Sequence, residues 1–268
     1  MTSPCEVHIF SKDEKRAREV ATQILKSSKE LEKKYNFYNP NSYLSQINQR
    51  KIEILDVQTK DLLQKAKKFY TKTDGIFDIT MGTLIETRDK KSIEEMEETK
   101  KRLLHFVGVE HFKIKKNKII FDNPYTLIDL GGLVKEFAVD KAVKSLKKAK
   151  IESALVNFGG DIYALGTRPN GDEFSIGIRN PLNPKEFIRY VKLRNQALTT
   201  SASYERNYKI ENRIYSHIIS KEALQDEILS ASVISSSTLQ SGVYSTALMI
   251  EPRLNISLKK ILITKKHL

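Results

Sequence analysis

The sequence predicts an α+β protein in which helices pack against mixed, mainly antiparallel sheets. Long amphipathic stretches predict helices in the first half, and short β-branched or aromatic runs separated by turns predict strands in the second half. No segment repeats, and no low-complexity linker divides the chain. With 268 residues, 40% of them hydrophobic, the chain can form a single domain over 1–268, or two closely packed subdomains at about 1–125 and 126–268.

Helical spacing and capping residues define the elements of the first half. Val20, Ile24 and Leu31 share one face of a long helix, and Ser42 is the expected N-cap of a short one. Asp74 and Gly75 end the second long helix. The predicted elements are a strand at 6–10, helices at 13–34, 43–48, 56–73 and 92–104, and a hairpin of 112–114 with 119–121.

The second half alternates more quickly between short elements. A glycine pair, Gly131 and Gly132, separates a predicted strand from a helix, and the turn at 167–172 lies between two further strands. The predicted strands are 127–130, 154–157, 161–165, 174–178, 187–193, 197–200, 215–219 and 261–264, and the predicted helices are 133–148 and 237–249.

The net charge of +13 raises the possibility of a nucleic-acid-binding protein. The lysine-rich runs at 113–118, 144–150 and 259–266 are typical of a hairpin turn and solvated helix faces, and no nucleic-acid-binding signature accompanies them. A basic surface also attracts a small polyanion such as a dinucleotide. We therefore expect no nucleic-acid partner.

The lone cysteine, Cys5, excludes an internal disulfide framework and a cysteine-rich zinc site.

The chain contains no uninterrupted apolar run long enough for a membrane span, so no integral membrane segment is expected. It also begins without a basic and then apolar leader. Both observations predict a cytoplasmic protein; the alternative is a periplasmic or inner-membrane lipoprotein whose leader has been removed.

Four segments concentrate small, acidic and hydroxyl residues. Each also has a structural interpretation: a helix C-cap with Asx turns, a glycine pair that allows close packing, a tight bend between strands, or a histidine buried in a strand. The glycine pair before a helix could instead cradle a phosphate, because backbone N–H groups and the helix N-terminus favour an anion. The segments are 73–82, 128–135, 156–161 and 215–219.

Taken in order, these segments resemble the motifs of the FAD:protein FMN transferase family, also called the ApbE family. The resemblance covers nearly the whole chain and consists of six collinear motifs. Residues 38–48 resemble its tyrosine–proline–serine signature, 74–80 its DGAFDPT loop, 129–140 its DLGGIAKGYAVD segment, 154–161 its ALVNLGGD, 197–206 its AVATSGDYER, and 215–219 its YSHII.

The resemblance implies a T-fold-like architecture and an enzyme that cuts the pyrophosphate of FAD. It implies Mg²⁺-dependent transfer of the FMN moiety to a threonine or serine hydroxyl of a target flavoprotein, with release of AMP. His217 would be the catalytic residue, and the carbonyl of Gly132 and the side chain of Thr246 would be metal ligands. The residues implied to bind FAD are Met1, Tyr38, Ile76, Phe77, Asp78, Asp129, Lys135 and Ile219.

The sequence departs from the family pattern at positions that bear on the metal. Gly242 stands where the family has a metal-binding aspartate, one helical turn before Thr246, and Glu136 replaces the usual glycine after Lys135. The turn that usually follows His217 is also missing. The alternative function is therefore an FAD-binding relative with a weakened metal site that does not transfer efficiently. Restoring the aspartate at position 242 is expected to raise Mg²⁺ affinity and the rate of transfer, unless another carboxylate, for example Asp161 or Asp129, compensates.

Overall fold

The computed structural model describes most of the chain. The described residues are 4–183, 185–203, 207–216, 218, 221 and 228–264. The helices are α1 (Glu14–Lys34), α2 (Tyr43–Asn48), α3 (Val57–Lys72), α4 (Ile93–Leu103), α5 (Gly131–Lys148) and α6 (Thr238–Ile250). The strands are β1 (Cys5–Phe10), β2 (Phe112–Lys115), β3 (Lys118–Phe121), β4 (Ser153–Phe158), β5 (Asp161–Leu165), β6 (Phe174–Arg179), β7 (Phe187–Leu193), β8 (Gln196–Ala202), β9 (Asn207–Ile210), β10 (Arg213–Ser216), β11 (Ile228–Ser235) and β12 (Lys259–Thr264).

The chain divides into two compact units, each assembled from separate segments. The first unit comprises Met1–Lys33, Gly132–Ala202 and Glu227–Leu268, and the second comprises Lys34–Gly131 and Ser203–Asp226. The strand pairs between described residues are antiparallel apart from one isolated bridge. The predicted α+β class with mainly antiparallel sheets is therefore confirmed.

A six-stranded sheet forms the framework of the first unit, in the order β1-β4-β5-β8-β11-β12. Helix α6 packs on β8 and β11. The β6–β7 hairpin covers another apolar surface of this sheet, where Ile176 and Val191 join Leu198, Ile234 and Ile263 in one buried cluster. The hairpin and α6 thus shield the strands that carry the hydroxyl residues described below.

Strand β11 is the main element that sequence patterning missed. Its eight residues contain Ser230, Ser232 and Ser235, which interrupt the apolar pattern, yet all three side chains are buried. The strand pairs with β8 on one side and β12 on the other. It is therefore a central strand, whose small hydroxyl residues fit a closely packed interior rather than a solvent-facing edge.

The second unit contains α2, α3 and α4 with the β2–β3 and β9–β10 hairpins. Each helix begins at a side-chain cap, as Ser42 accepts the N–H of Ser45 at 3.0 Å and Asp56 accepts the N–H of Thr59 at 3.0 Å. Helix α3 ends before Gly75, whose φ of 80° suits a residue without a side chain. The cap predicted at Ser42 is confirmed.

The prediction of a strand at 127–130 is wrong. Only Leu127 forms a bridge, to Met81, and the chain then runs without a continuous ladder. Side chains replace the missing strand partner, because the Asn48 amide accepts the N–H of Ile128 and donates to its carbonyl, both at 2.9 Å. The Asp129 N–H donates to the Ile79 carbonyl, so the hydrogen bonds of this segment come from side chains and from single backbone contacts rather than from a continuous sheet.

Within the part of the chain that the structure describes, none of the helices is both long enough and apolar enough to span a membrane.

Candidate functional site

Lys135 and Asp161 form an ion pair within the first unit. Lys135 lies in the first half of α5, Asp161 begins β5, and the Lys135 Nζ is 2.5 Å from the Asp161 Oδ2. Gly159 and Gly160 have φ values of 58° and 92°, so glycine allows the tight turn that places Asp161. The structure therefore puts a carboxylate beside the predicted FAD-binding lysine, with Asp161 itself 1% exposed.

Glu136 places a second buried carboxyl group beside this pair. It is 6% exposed, and a side-chain hydrogen bond links its carboxyl group to that of Asp161. No N–H or hydroxyl group of the described residues donates to its Oε2. Burial raises the pKa of Glu136, although Lys135 opposes the shift. Burial and the neighbouring Glu136 raise the pKa of Asp161 well above its usual value. Two carboxyl groups against one lysine would give an excess of negative charge when both are ionised.

Gly242 on α6 lies directly against the Glu136 side chain. A Cβ built on Gly242 would be 2.5 Å from the Glu136 Cγ and 3.1 Å from its Cδ and Oε1. Contacts of 2.5 Å between carbon atoms are far inside van der Waals distance. The space next to position 242 is thus already occupied by Glu136. Both residues depart from the family pattern.

Hydroxyl groups continue along α6 from Gly242. Thr246, the second predicted metal ligand, lies one helical turn further on, and its Oγ1 is 3.1 Å from the Ser201 Oγ. Ser201 is also 2.9 Å from the Ser245 Oγ, which donates to the Gly242 carbonyl at 3.0 Å. Strand β8 and helix α6 together present hard oxygen atoms of the kind that Mg²⁺ prefers.

Asp140 fixes the N-terminus of α6. Its carboxylate accepts hydrogen bonds from the Thr238 N–H at 2.7 Å, the Leu239 N–H at 3.1 Å and the Ser237 hydroxyl at 3.0 Å. These N–H groups have no intrahelical acceptor, and a negative charge there suits the helix dipole. Asp140 lies one turn after Glu136 on α5, so one carboxylate positions α6 while the neighbouring one contacts Gly242.

In the second unit, Asp78 organises the loop after α3. Its Oδ1 accepts the N–H of Thr80 at 2.8 Å and the Thr80 hydroxyl at 2.6 Å, and its Oδ2 is 3.7 Å from the Lys221 Nζ. Burial raises the pKa of Asp78, while Thr80 and Lys221 partly offset the shift. The loop thus carries a buried carboxyl group held in a fixed direction.

The adjacent predicted residues, Ile76 and Phe77, differ in exposure. Phe77 is buried, and its N–H donates to the Thr73 Oγ1 at 3.0 Å, whereas Ile76 is half-buried. Ile76 therefore has the more accessible side chain, and Phe77 contributes to the core of the loop.

Asp129 lies immediately before α5. Its N–H donates to the Ile79 carbonyl at 2.7 Å, and its Oδ1 accepts the N–H of Gly131 at 2.8 Å. Burial raises the pKa of Asp129, and the Gly131 hydrogen bond and nearby Arg88 oppose that shift. The predicted residues Asp129 and Gly132 thus flank the first residue of a helix, and Gly132 is exposed.

Arg88 connects several predicted residues of the second unit, although sequence analysis did not identify it. Its Nη1 donates to the Tyr38 hydroxyl at 3.3 Å, its guanidinium carbon is 5.8 Å from the centre of the Tyr208 ring, and its charge acts on Asp129. Tyr38 is 73% exposed. An arginine beside an exposed tyrosine is suited to binding a planar or phosphorylated ligand.

Three predicted site residues, Met1, His217 and Ile219, lie outside the described residues. Their roles stay predictions. Strand β10 spans Arg213–Ser216, so it shares residues 215 and 216 with the strand predicted at 215–219.

Among the described residues, no three His, Cys, Asp or Glu side chains form a group that could hold a metal ion. A cation bound by this chain would therefore need carbonyl, hydroxyl or ligand oxygens in addition to carboxylates. A cavity of about 440 Å³ lies in the second unit, lined by residues such as Arg50, Lys118 and Phe121, and none of the predicted site residues lines it.

Glu136, Asp140 and Arg88 are the residues that sequence analysis failed to assign. Glu136 and Asp140 lie within the segment that resembles DLGGIAKGYAVD, so the departure at Glu136 was visible. Its contact with position 242 was not, because the two residues are more than 100 positions apart. Arg88 lies in a 3₁₀ segment, Gly82–Asp89, which has no strong periodic pattern.

The chain is similar to known proteins in sequence and in structure. The model of the ApbE family matches residues 1–257. The FAD:protein FMN transferase of Vibrio cholerae serotype O1 is 25% identical over 248 residues, which are 87% of this chain and 74% of the relative. The Klebsiella pneumoniae protein of the same name is 24% identical over 260 residues, or 92% of this chain and 79% of the relative.

Solved structures show the same fold. The flavin transferase ApbE from Vibrio cholerae aligns with a TM-score of 0.84 at 22% identity, covering 99% of this chain and 91% of that one. The ApbE protein from Thermotoga maritima aligns with a TM-score of 0.86 at 24% identity, covering 98% and 94%.

Proposed function

Because the chain belongs to the ApbE family, we propose that it is an FAD:protein FMN transferase. The observation that carries the proposal is the family match over residues 1–257, together with curated relatives named FAD:protein FMN transferase that align over most of their length. The six collinear motifs support the same activity.

In the proposed reaction, a threonine or serine hydroxyl of an acceptor flavoprotein attacks the phosphorus atom on the FMN side of the FAD pyrophosphate. The new P–O bond forms as the bond to the bridging oxygen breaks, and that oxygen leaves with AMP. The hydroxyl proton passes to a base, for which His217 is the candidate. Such reactions depend mainly on positioning and on neutralisation of the phosphate charge.

The described residues have separable roles in this proposal. In the second unit, Tyr38, Ile76 and Arg88 would contact FAD through accessible surface, while Asp78 and Phe77 hold the loop in shape. In the first unit, Lys135 would pair with a phosphate oxygen, and its contact with Asp161 keeps the ammonium group in place. Asp129 would contribute a polar contact beside the start of α5.

The residues of the first unit fit a divalent cation such as Mg²⁺. The hydrogen-bonded carboxyl groups of buried Glu136 and Asp161 and the hydroxyl-bearing face of α6 are hard oxygen donors. The Gly132 carbonyl and the Thr246 side chain are the ligands that the resemblance implies. When bound, Mg²⁺ would neutralise developing negative charge on the pyrophosphate.

The test is incubation of the full chain with FAD, Mg²⁺ and a peptide that contains a flavinylation site. We expect covalent flavin fluorescence on the peptide and one AMP released per peptide labelled. A peptide with alanine in place of the acceptor residue is the matched control and should stay unlabelled. The proposal fails if neither label nor AMP forms, at any Mg²⁺ concentration, under conditions in which FAD binds.

The alternative is an FAD-binding relative that does not transfer efficiently, and the glycine at position 242 favours it. The same assay separates the two functions. Tight retention of FAD without AMP release would support the binding protein, whereas stoichiometric AMP release supports the transferase.

A further inference from the structure

The Glu136 carboxyl group is the least explained polar group of the first unit. It is almost fully buried on α5, and no N–H or hydroxyl group within the described part of the chain donates to its Oε2. Its carboxyl group is hydrogen-bonded only to another buried carboxyl group, that of Asp161. Buried carboxyl oxygens are normally hydrogen-bonded, because desolvation without a partner is costly. Two buried carboxyl groups in hydrogen-bond contact bring together hard oxygen atoms that a cation could bind in place of the shared proton.

The charges around the Glu136 and Asp161 carboxyl groups are compatible with a bound cation. The nearby Lys135 already pairs with Asp161 at 2.5 Å, so its ammonium group does not neutralise both carboxylates. Glu136 and Asp161 are close enough for each to alter the protonation of the other. Without a cation, the Lys135 ammonium group and a proton shared between the two carboxyl groups balance their charge, and a bound divalent cation would take the place of that proton.

The neighbouring glycine shows where the Glu136 carboxyl group lies. A Cβ at position 242 would be 3.1 Å from the Glu136 Cδ, and an aspartate carboxyl carbon lies one further bond, about 1.5 Å, beyond its Cβ. The Glu136 carboxyl group therefore lies in the region that an aspartate carboxylate on α6 would enter. From Gly242, the helix continues to the Thr246 hydroxyl within one turn.

We propose that Glu136 supplies the carboxylate ligand of a divalent cation bound between α5 and α6, and that Gly242 is required to make room for it. This inference rests on the proposed function, in which Mg²⁺ accompanies FAD. The two unusual residues are then one reciprocal exchange, in which the carboxylate has moved from α6 to the facing position on α5. The metal site is relocated rather than weakened.

This proposal reverses the expectation drawn from the sequence for Gly242→Asp. The new side chain would collide with the Glu136 Cγ and bring a further negative charge to an already acidic pair. We expect Gly242→Asp alone to weaken cation binding. The double variant Glu136→Gly with Gly242→Asp removes the collision and returns the carboxylate to α6, so it should recover binding.

The experiment measures binding of Mn²⁺, as a spectroscopic substitute for Mg²⁺, by electron paramagnetic resonance of the free ion. The 268-residue chain is titrated at fixed pH, with and without ADP as a diphosphate probe. Glu136→Gln should weaken Mn²⁺ binding by about 10- to 100-fold or more. Glu30→Gln, which changes an exposed glutamate on α1 of the same unit, should leave it unchanged. Circular dichroism of each variant verifies that it is folded.

Equal Mn²⁺ affinity in wild type and Glu136→Gln, or no Mn²⁺ binding by the wild type, would overturn the proposal. So would a Gly242→Asp variant that binds Mn²⁺ more tightly than wild type. The transferase assay distinguishes this failure from failure of the proposed function. Transfer that persists with unchanged Mn²⁺ affinity in Glu136→Gln would refute the ligand alone, whereas Glu136-dependent Mn²⁺ binding without transfer would refute the function alone.

Discussion

Replacement of Asp140 by alanine should destabilise the first unit strongly, although Asp140 is not a proposed ligand. Its carboxylate accepts three hydrogen bonds at the start of α6, two from backbone N–H groups and one from the Ser237 hydroxyl. The side chain of Ser237 also accepts the N–H of Gln240 at 3.2 Å. Loss of Asp140 thus leaves two backbone donors without their acceptor and loosens the remaining cap.

The magnitude follows from these contacts. A hydrogen bond to a charged group contributes about 1.5–3 kcal/mol, and a negative charge at a helix N-terminus about 0.3–1 kcal/mol. Since neighbouring contributions are not additive and water can reach a partly exposed site, we expect Asp140→Ala to lower the free energy of unfolding by about 3 kcal/mol. Asp140→Asn keeps one carbonyl acceptor and should lose about half as much.

The measurement is urea unfolding followed by far-ultraviolet circular dichroism, because the chain has no tryptophan for fluorescence. Glu30→Ala, at an exposed position of α1, is the matched control and should change the stability by less than about 0.5 kcal/mol. A loss below about 1 kcal/mol for Asp140→Ala would refute the argument that this carboxylate holds α6 in place.

Three further predictions concern the second unit. Burial raises the pKa of Asp78, so the folded state holds the Asp78 proton more tightly than the unfolded state does, and protonation stabilises the fold at low pH. This stabilisation is lost as the pH rises from about 4 through the raised pKa. Asp78→Asn keeps an acceptor for Thr80, so its urea midpoint should rise relative to wild type over that range, and a pH-independent difference would contradict the assignment. Asn48→Ala removes both hydrogen bonds to Ile128 and should cost about 2–4 kcal/mol in the same unfolding assay, whereas a change near zero would show that water replaces the amide. Arg88→Ala should weaken FAD binding by about tenfold or more in a fluorescence titration while Arg88→Lys recovers part of the loss, and equal affinities in all three proteins would exclude Arg88 from the FAD site.

Much of the fold could be predicted because its local signals agree with the final structure. Ser42 and Asp56 are good N-caps in the sequence and form caps in the structure, and the lysine-rich run at 113–118 contains the turn of the β2–β3 hairpin at Lys116 and Asn117. In each case the residues that determine the element lie within a few positions of one another.

The remaining elements depend on partners that are distant in the chain. Residues 127–130 have the apolar pattern of a strand, yet Asn48 satisfies the backbone of Ile128 from 80 positions away. Strand β11 is stabilised by pairing on both sides, which compensates for its interrupting serines. Local pattern shows that such segments are buried but does not specify what covers them.

The candidate site was predictable as a set of motifs, and its electrostatics were not. The resemblance drew attention to Lys135, Thr246 and the missing aspartate at Gly242. Only the packing of α5 against α6 shows that Glu136 fills the space at that position. The loss of a ligand at one position can therefore be accompanied by a new ligand from a residue that is distant in the sequence but adjacent in the structure.

The most direct test of the account is a crystal structure of the protein soaked with FAD and Mn²⁺, with the metal located by anomalous scattering. The account predicts FAD bound with its diphosphate near Lys135, and one Mn²⁺ coordinated by a Glu136 oxygen together with Gly132 or Thr246. A metal bound away from α5 and α6, or FAD bound without contact to Lys135, would contradict it.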